Sequence, residues 1–502
     1  MTSKSADQKA LEVVFQRLVA KYLMPAFAQA RTGHRVTEML RTMLLMNGVR
    51  KTISNSIVAR GLDQEDWRAD YRAFSDGKWD PVDLFHGVFK ACLPWLSKEG
   101  PVVLALDDTA LSKTGKKIAH VRWVHNPLCP VWVRPAIQLG IPMFHGVLLL
   151  PRGDVHRPSA ITIAFEPIKD TEWSAKRRRR KAGAVPDDAQ PTPKKRGRPT
   201  KEEAARRKEA FGVDPAAIGQ VKDSASQIAV RTIQRVREWM DDNKLKDRQL
   251  LVVADGSYTN GTVIGHLPDR VDYIGRTREK SNLCAVGEKI HGGKALYGER
   301  LPTPLELAKD RSVPSDTGRF DYGGEERNLS FKVIGPVYRR HSTRKVALKL
   351  MILAPVPYGH GTTRGYNKRA YLLTTSFTLP HEVLIQAYLD RWAIEVLHRD
   401  LKTGVGLGQA QVRTERSVDR IHSALAAAYA ILVLAVRQTQ GQQRTDRGFG
   451  RLPKWRTNVR SWRARKAIAA GKQAPTYRPS VTDMMALLRH ALTEVRSHRL
   501  VA

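Results

Sequence analysis

Apolar residues recur at helical spacing through the first hundred positions. Leu11, Val14, Phe15 and Leu18 mark one apolar stripe, and Val36, Met39, Leu40, Met43 and Leu44 mark another. Residues 8–97 are therefore predicted to be helical. Within them, Ile53 to Ser75 reads as helix, short Gly-containing turn, helix, the outline of a helix-turn-helix. The pattern changes at Gly100. PVVLALDDT is a short apolar run that ends in acids, as a buried strand does when it delivers side chains to a sheet edge. Ile118–Asn126 and Ile141–Pro151 read as two more strands. Three strands before the first long helix predict a mixed sheet rather than a repeated βαβ winding. Ile228, Val230, Ile233, Val236 and Met240 mark that helix, and Arg248–Tyr258 a second strand ending in an acid. A short helix at Thr262–Leu267 and a strand at Val271–Arg276 follow. Alternation in LSFKVIGPVY and VALKLMILAPV predicts a β-rich insertion, and Ala370–Phe377 a last buried strand. Pro380 opens a late helix that Gly404, Val405 and Gly406 stop.

This pattern divides the chain into a helical N-terminal DNA-binding domain (1–97), a first core segment (98–282), a β-rich insertion (283–360), a second core segment (361–440) and a basic C-terminal region (441–502). The first core segment is interrupted at about 174–210 by a stretch low in apolar residues and rich in Pro, Lys and Arg, which reads as extended or disordered. Arg196-Gly197-Arg198-Pro199 inside it resembles an AT-hook core, so Arg196 and Arg198 are candidate minor-groove contacts. Nonspecific phosphate attraction by a basic tether is the plainer reading. Trp455 and Trp462 interleave with basic residues near the C-terminus, a composition suited to backbone and base contacts.

The net charge of +36 implies a polyanionic partner, with nucleic acid favoured over a membrane surface. The longest apolar run, Ala424–Val436, is too short to span a bilayer and reads as a buried helix. The first residues show no secretory h-region. Cys92, Cys129 and Cys284 lie far apart without a CxxC pair, which points to a reducing compartment and against a cysteine zinc site. A cytoplasmic location follows as the expectation. His120 and His125 have no cysteine partner set and read as satisfied loop or core histidines. Lys113-Thr114-Gly115-Lys116 lacks the earlier glycine of a phosphate loop.

The late helix carries the sharpest chemistry. At ~100° per residue, Tyr388, Arg391, Glu395, His398 and Lys402 fall within an arc of about 80°, while Ile394, Leu397 and Leu401 form the core stripe. Upstream, two strands end in Asp107-Asp108-Thr109 and Asp255-Gly256-Ser257. Three carboxylates converging on one sheet edge repel one another unless hard divalent cations compensate them. Mg²⁺ suits such a site, and two ions can support an in-line phosphoryl displacement.

Tyr388, Arg391, Glu395 and Lys402 match a Y-x2-R-x3-E-x6-K pattern, and the surrounding DRWAIEVLHRDLKTGVG resembles the third acidic region of DDE transposases of bacterial insertion sequences. Asp107-Asp108-Thr109 is similar to that family's D-x-T region, and Asp255-Gly256-Ser257-Tyr258 to its second acidic region. The resemblance spans roughly residues 100–440. It implies a mixed α/β, RNase H-like core, with Asp107, Asp255 and Glu395 as catalytic metal ligands for two Mg²⁺ (or Mn²⁺) ions. Asp107 fits the spacing better than Asp108. Arg391 and Lys402 would hold DNA phosphates, and Tyr388 would contact the backbone at the element's end. His398 has no role in the signature, and packing is the reading for it. The implied partners are double-stranded DNA, as terminal inverted repeats and as target, and a second copy of the chain in a homodimeric synaptic complex. The implied setting is the bacterial nucleoid. The implied reaction is hydrolytic cleavage at the element's end, followed by attack of the freed 3′-hydroxyl on target DNA. A domesticated DNA-binding protein or RNase H-like nuclease without transposition activity is the alternative.

Overall fold

The computed structural model describes residues 2–46, 49–125, 137–151, 158–169, 224–289, 295–322, 325–339, 346–358, 365–366 and 368–440. The basic insertion with Arg196 and Arg198, Cys129, and the region from residue 441 with Trp455 and Trp462 lie outside the described residues.

The N-terminal part is helical: α1 (Thr2–Leu18), α2 (Ala30–Leu45), α3 (Ile53–Arg60), α4 (Arg68–Ser75) and α5 (Pro81–Cys92). The stripe Val36, Met39, Leu40, Met43 and Leu44 is the buried face of α2. Thr52 caps α3 by accepting from the Asn55 amide, and Gly61, at φ +70°, ends it in the left-handed conformation that glycine tolerates best. Residues 61–67 then separate α3 from α4. The expected short turn is thus longer than the connection of about 3–4 residues in a compact helix-turn-helix. What fixes the two helices is Asp70 on α4, fully buried and ion-paired to Arg60 of α3 at 3.0 Å and to Arg35 of α2 at 3.5 Å.

The strands are β1 (Val102–Ser112), β2 (Arg122–His125), β3 (Ile137–Leu150) and β4 (Ser159–Pro167), then α6 (Ala225–Asp242), β5 (Leu250–Ala254), α7 (Gly261–Ile264) and β6 (Val271–Arg276). Next come β7 (Leu283–Lys289), β8 (Ala295–Arg300), α8 (Pro304–Lys309), β9 (Asp316–Tyr322), β10 (Glu325–Arg339), β11 (Leu348–Leu353), β12 (Pro357–Tyr358), β13 (Gly365–Tyr366) and β14 (Ala370–Thr374). The chain closes on α9 (His381–Asp390), α10 (Trp392–Arg399) and α11 (Glu415–Gln440).

Twelve strands form one mixed sheet in the order β2-β3-β1-β5-β6-β14-β11-β10-β7-β8, with β4 beside β3 and β9 beside β10. This mixed α/β arrangement is consistent with an RNase H-like DDE fold. Strand β4 precedes the long helix as well, so four strands rather than three stand there. Its residues Ile161, Ile163, Ala164 and Phe165 are buried, whereas the sequence reading left this segment unassigned. The helix α8, opened by a Thr303–Glu306 capping box, also interrupts the β-rich stretch.

Strands β1, β5 and β6 run parallel, and their register sets the site. Leu106 pairs with Ala254, and Ala254 with Gly275. The next residues, Asp107, Asp255 and Arg276, therefore stand level across three adjacent strands, with Asp255 just past the end of β5 and Arg276 at the end of β6, whereas β1 runs on beyond Asp107 to Ser112 instead of ending at the acids as the sequence pattern predicts. On the other side β3 runs antiparallel to β1 and places His145 opposite Asp107.

The apolar run in α11 is core. Glu415–Thr439 is long and apolar enough to cross a membrane, yet 83% of its apolar window is buried inside the fold. It packs on α1, α5 and β4, so the N-terminal helices, the sheet and α11 share one hydrophobic cluster.

Replacing Asp70 with Ala should cost about 3 kcal/mol, because it leaves two arginines without their buried partner. Thermal unfolding of the purified protein checks this, and an unchanged melting temperature would show that α3 and α4 are held by apolar contacts alone.

Candidate active site

The late helix is not one continuous rod. It divides into α9 and α10 at Arg391 and ends in a π turn, Asp400–Val405. At the join, the Arg391 amide donates to both Ala387 and Tyr388 carbonyls, and the Ile394 amide donates to Arg391, so the backbone tightens locally to three-residue spacing. The single aligned arc expected from ideal geometry is therefore corrected. Tyr388 belongs to α9, Glu395 and His398 to α10, and Lys402 to the π turn. Gly406 caps this turn at φ +71°.

Arg391 points into the sheet edge. Its Nη1 donates to Asp107 Oδ2 at 3.1 Å and its Nη2 to Glu395 Oε1 at 3.2 Å. Both side chains of the Arg391–Asp107 pair are more than four-fifths covered. One guanidinium thus ties the end of β1 to α10. The Asp107 Oδ1 also accepts from the Asp108 amide at 2.9 Å. Strand alternation sends Asp107 and Asp108 to opposite faces, and Asp107 is the one that meets Arg391.

The electrostatics report crowding of acids. Burial pushes the Asp107 carboxyl up to about 6, against the pull of Arg391 and the Asp108 amide; Asp108 and Asp255 add to the rise. Asp108 is raised by burial and then by Asp255. Glu395 is raised by burial and by Asp255, with Arg391 opposing. Burial also works against the charge on Arg391, but Asp107, Tyr388, Glu395 and Asp255 together hold it a firmer cation than usual. Asp255 therefore acts on every member of the group, although no direct bond joins it to Arg391. The Arg391 Nε is buried and has no hydrogen-bond partner.

Tyr388 lies with its ring centroid 6.0 Å from the Arg391 guanidinium, and burial raises its phenol. His398 stacks on His145, the residue opposite Asp107, at 4.9 Å between ring centroids. Burial, Lys402 and Arg391 push the His398 imidazole down to about 3, so it stays neutral and serves as packing. Lys402 is exposed on the π turn. Lys113, at the end of β1, donates to the carbonyls of Gly408 and Ala410 at 2.7 and 2.9 Å and meets His422 Nε2 at 3.2 Å. Arg196 and Arg198 fall outside the described residues. His145 has no signal in the sequence as a neighbour of the site: only the pairing of β3 with β1 brings it opposite Asp107, and a sequence pattern carries no register between distant strands.

Asp107, Asp255 and Glu395 fit divalent cations in chemistry: oxygen donors, shared repulsion and a single guanidinium as counter-charge. Their oxygens are not all drawn within 4.8 Å of one another. Among the described residues only His120, Glu415 and Asp419 are packed so closely. In that second group, the Lys169 ammonium sits 2.9 Å from Glu415 and 3.1 Å from Asp419. His120 lies 3.2 Å from Asp419. Those acids already have a cation, and the cluster reads as an ion-pair network joining the start of α11 to the segments after β1 and β4.

Comparison with known families agrees with this geometry. A family model described as DDE superfamily endonuclease matches residues 23–319, more than half of the chain. A second, described as transposase DDE domain, matches residues 216–431. The first match contains Asp107 and Asp255, and the second contains Asp255 and Glu395. No curated protein matches the chain. The chain belongs to the DDE superfamily of endonucleases, as a metal-dependent transposase.

Proposed function

We propose that this transposase binds the ends of an insertion sequence, cleaves there, and joins the freed end to target DNA. In this reading Asp107, Asp255 and Glu395 are the catalytic carboxylates of an RNase H-like core. The observation that carries it is the bridge from Asp107 through Arg391 to Glu395, at 3.1 and 3.2 Å. It unites two of the three acids, and its Arg391–Asp107 half alone joins residues 284 apart in the chain. The level register of Asp107 and Asp255 supports the third.

These carboxylates would hold two Mg²⁺ or Mn²⁺ ions, which would supply activation of the attacking oxygen and stabilisation of the leaving one. The protein's own contribution is placement. The parallel register sets Asp107, within β1, level with Asp255 just past the end of β5. The tightened turn at Arg391 aims Glu395 at the same edge. Arg391 would hold a DNA phosphate beside the acids, and Lys402 offers an exposed cation about three turns further on. Lys113, with its donors on the Gly408 and Ala410 carbonyls, holds the segment after the π turn against β1 and so limits how far α10 can drift. The helical residues 1–97 would form the end-binding domain, with the insertion (283–360) and the basic segments outside the described residues adding nonspecific DNA contacts. A homodimer would pair two ends.

Glu395→Gln and Asp107→Asn should each abolish Mg²⁺-dependent cleavage of duplex carrying the DNA that bounds the gene, while leaving binding to that duplex within a few-fold of wild type. Asp108→Asn should keep activity, since its side chain faces away from Arg391. Cleavage retained by Glu395→Gln, or lost equally from Asp107→Asn and Asp108→Asn, would contradict the assignment.

The raised carboxyl of Asp107 sets a pH dependence. Its folded value, about 6, lies above the ordinary 3.8. In metal-free protein its contribution is therefore favourable at low pH and is lost as pH rises through about 6. Cations bind the ionised form, so the rise in melting temperature on adding Mg²⁺ to chelator-treated protein should be larger at about pH 8 than at about pH 5. An equal rise at both would place metal binding elsewhere.

A further inference from the structure

Arg276 stands beside Asp255 in the row of strand ends, one step past the Ala254–Gly275 pair. The packing around it is close. The Thr259 hydroxyl donates to the Arg276 carbonyl at 2.8 Å, which folds the Asp255 turn back on β6. A side chain at Gly256 would lie 3.3 Å from that same carbonyl, and one at Gly275 would lie 2.6 Å from the Thr259 hydroxyl. The two glycines thus permit an approach that other residues would block. Arg339, at the end of β10, reaches across from the insertion, and its Nη1 donates to the Thr259 carbonyl at 2.6 Å. Arg278 follows on the same rim, and its charge together with burial lowers the Arg339 guanidinium. Arg276 and Arg278 are both exposed, and among the described residues neither has a carboxylate partner within ion-pair distance. Arg276 also acts on the phenol of Tyr388, whose pKa it opposes raising.

The Asp255 turn, on the side of the carboxylate group away from β3, is thus met by the backbone of Arg276 and the guanidinium of Arg339, with Arg278 two residues beyond Arg276 and close enough for its charge to act on Arg339. Gathering like charges costs energy unless an anion offsets them. We propose that Arg276 and Arg278, with Arg339 as the anchored member, form a phosphate-binding rim that holds the DNA backbone where it leaves the reacting position. Guanidinium groups suit this role because their planar forks bond phosphate oxygens in pairs. The rim lies on the face of the sheet edge that carries Asp107 and Asp255, so a strand seated on it passes directly over the acids. The competing explanation is that Arg276 only balances the charge of Asp255.

This inference rests on the proposed assignment of Asp107, Asp255 and Glu395 as the catalytic group. Its test uses the full chain with Glu395→Gln, so that binding is read without cleavage, and a labelled duplex carrying the DNA that bounds the gene. The slope of log affinity against log salt is measured for that protein and for the same protein with Arg276→Ala, Arg278→Ala or both. Each single change should lower the magnitude of the slope by about 0.9, and the double change by about 1.8. Arg319→Ala, which removes a charge paired to Glu326 on the outer strands, should leave the slope unchanged. If the arginines only balance Asp255, the slopes stay at the Glu395→Gln value while Mn²⁺ affinity rises in Arg276→Ala, and the rim proposal is overturned. Cleavage that persists in Glu395→Gln instead overturns the catalytic assignment, whatever the slopes show.

Discussion

Repulsion among buried acids is the constraint that orders this structure. A sheet that sets aspartates level on two adjacent parallel strands, with a glutamate-bearing helix beside them, needs positive charge there. Arg391 supplies it through bonds of 3.1 and 3.2 Å to Asp107 and Glu395. The guanidinium does this from a helix that has to tighten at that very residue. Burial raises the carboxyls of Asp107, Asp108 and Glu395, the nearby Asp255 adds to each rise, and Arg391 opposes it only at Asp107 and Glu395. Such a group is short of cations by construction, which is what a metal-dependent endonuclease requires before its ions arrive.

The surroundings serve that edge. Below the α10 helix, the stacked pair His145–His398 fills the space with neutral rings rather than adding charge. The Lys113 ammonium ties the chain after the π turn to the end of β1. Further out, Asp70 draws α2, α3 and α4 together, and α11 seats the N-terminal helices against the sheet through one shared core. The family match that starts at residue 23 runs through these helices into β1, in keeping with their packing as part of the same body.

Much of this was legible in the sequence because local pattern and local chemistry agree. The apolar stripe of α2, the acid-ended runs at Asp107 and Asp255, and the helical spacing of Arg391 and Glu395 are short-range features. The register that makes Asp107 and Asp255 level is not short-range, since β1 and β5 are separated by more than a hundred residues and the choice among pairings leaves no trace in any one segment. Nor was the break at Arg391 visible: ideal periodicity treats a helix as straight, whereas a buried guanidinium with two acid partners bends the turn to reach them. Strand β4, Ser159–Pro167, is a short apolar run that the strand pattern of the sequence analysis does not include. The doubled aspartate shows the boundary well. Spacing favours Asp107 as the ligand, and the structure adds that Asp107 is the one of the pair bonded to Arg391, which the proposed assignment uses.

The cation-binding group is proposed to be Asp107, Asp255 and Glu395, not the tighter cluster of His120, Glu415 and Asp419, where the Lys169 ammonium already pairs with both acids. Mn²⁺ binding followed by paramagnetic resonance in Asp255→Asn and in Asp419→Asn decides between them. The account predicts that Asp255→Asn loses tight Mn²⁺ binding while Asp419→Asn retains it. The reverse outcome would contradict it.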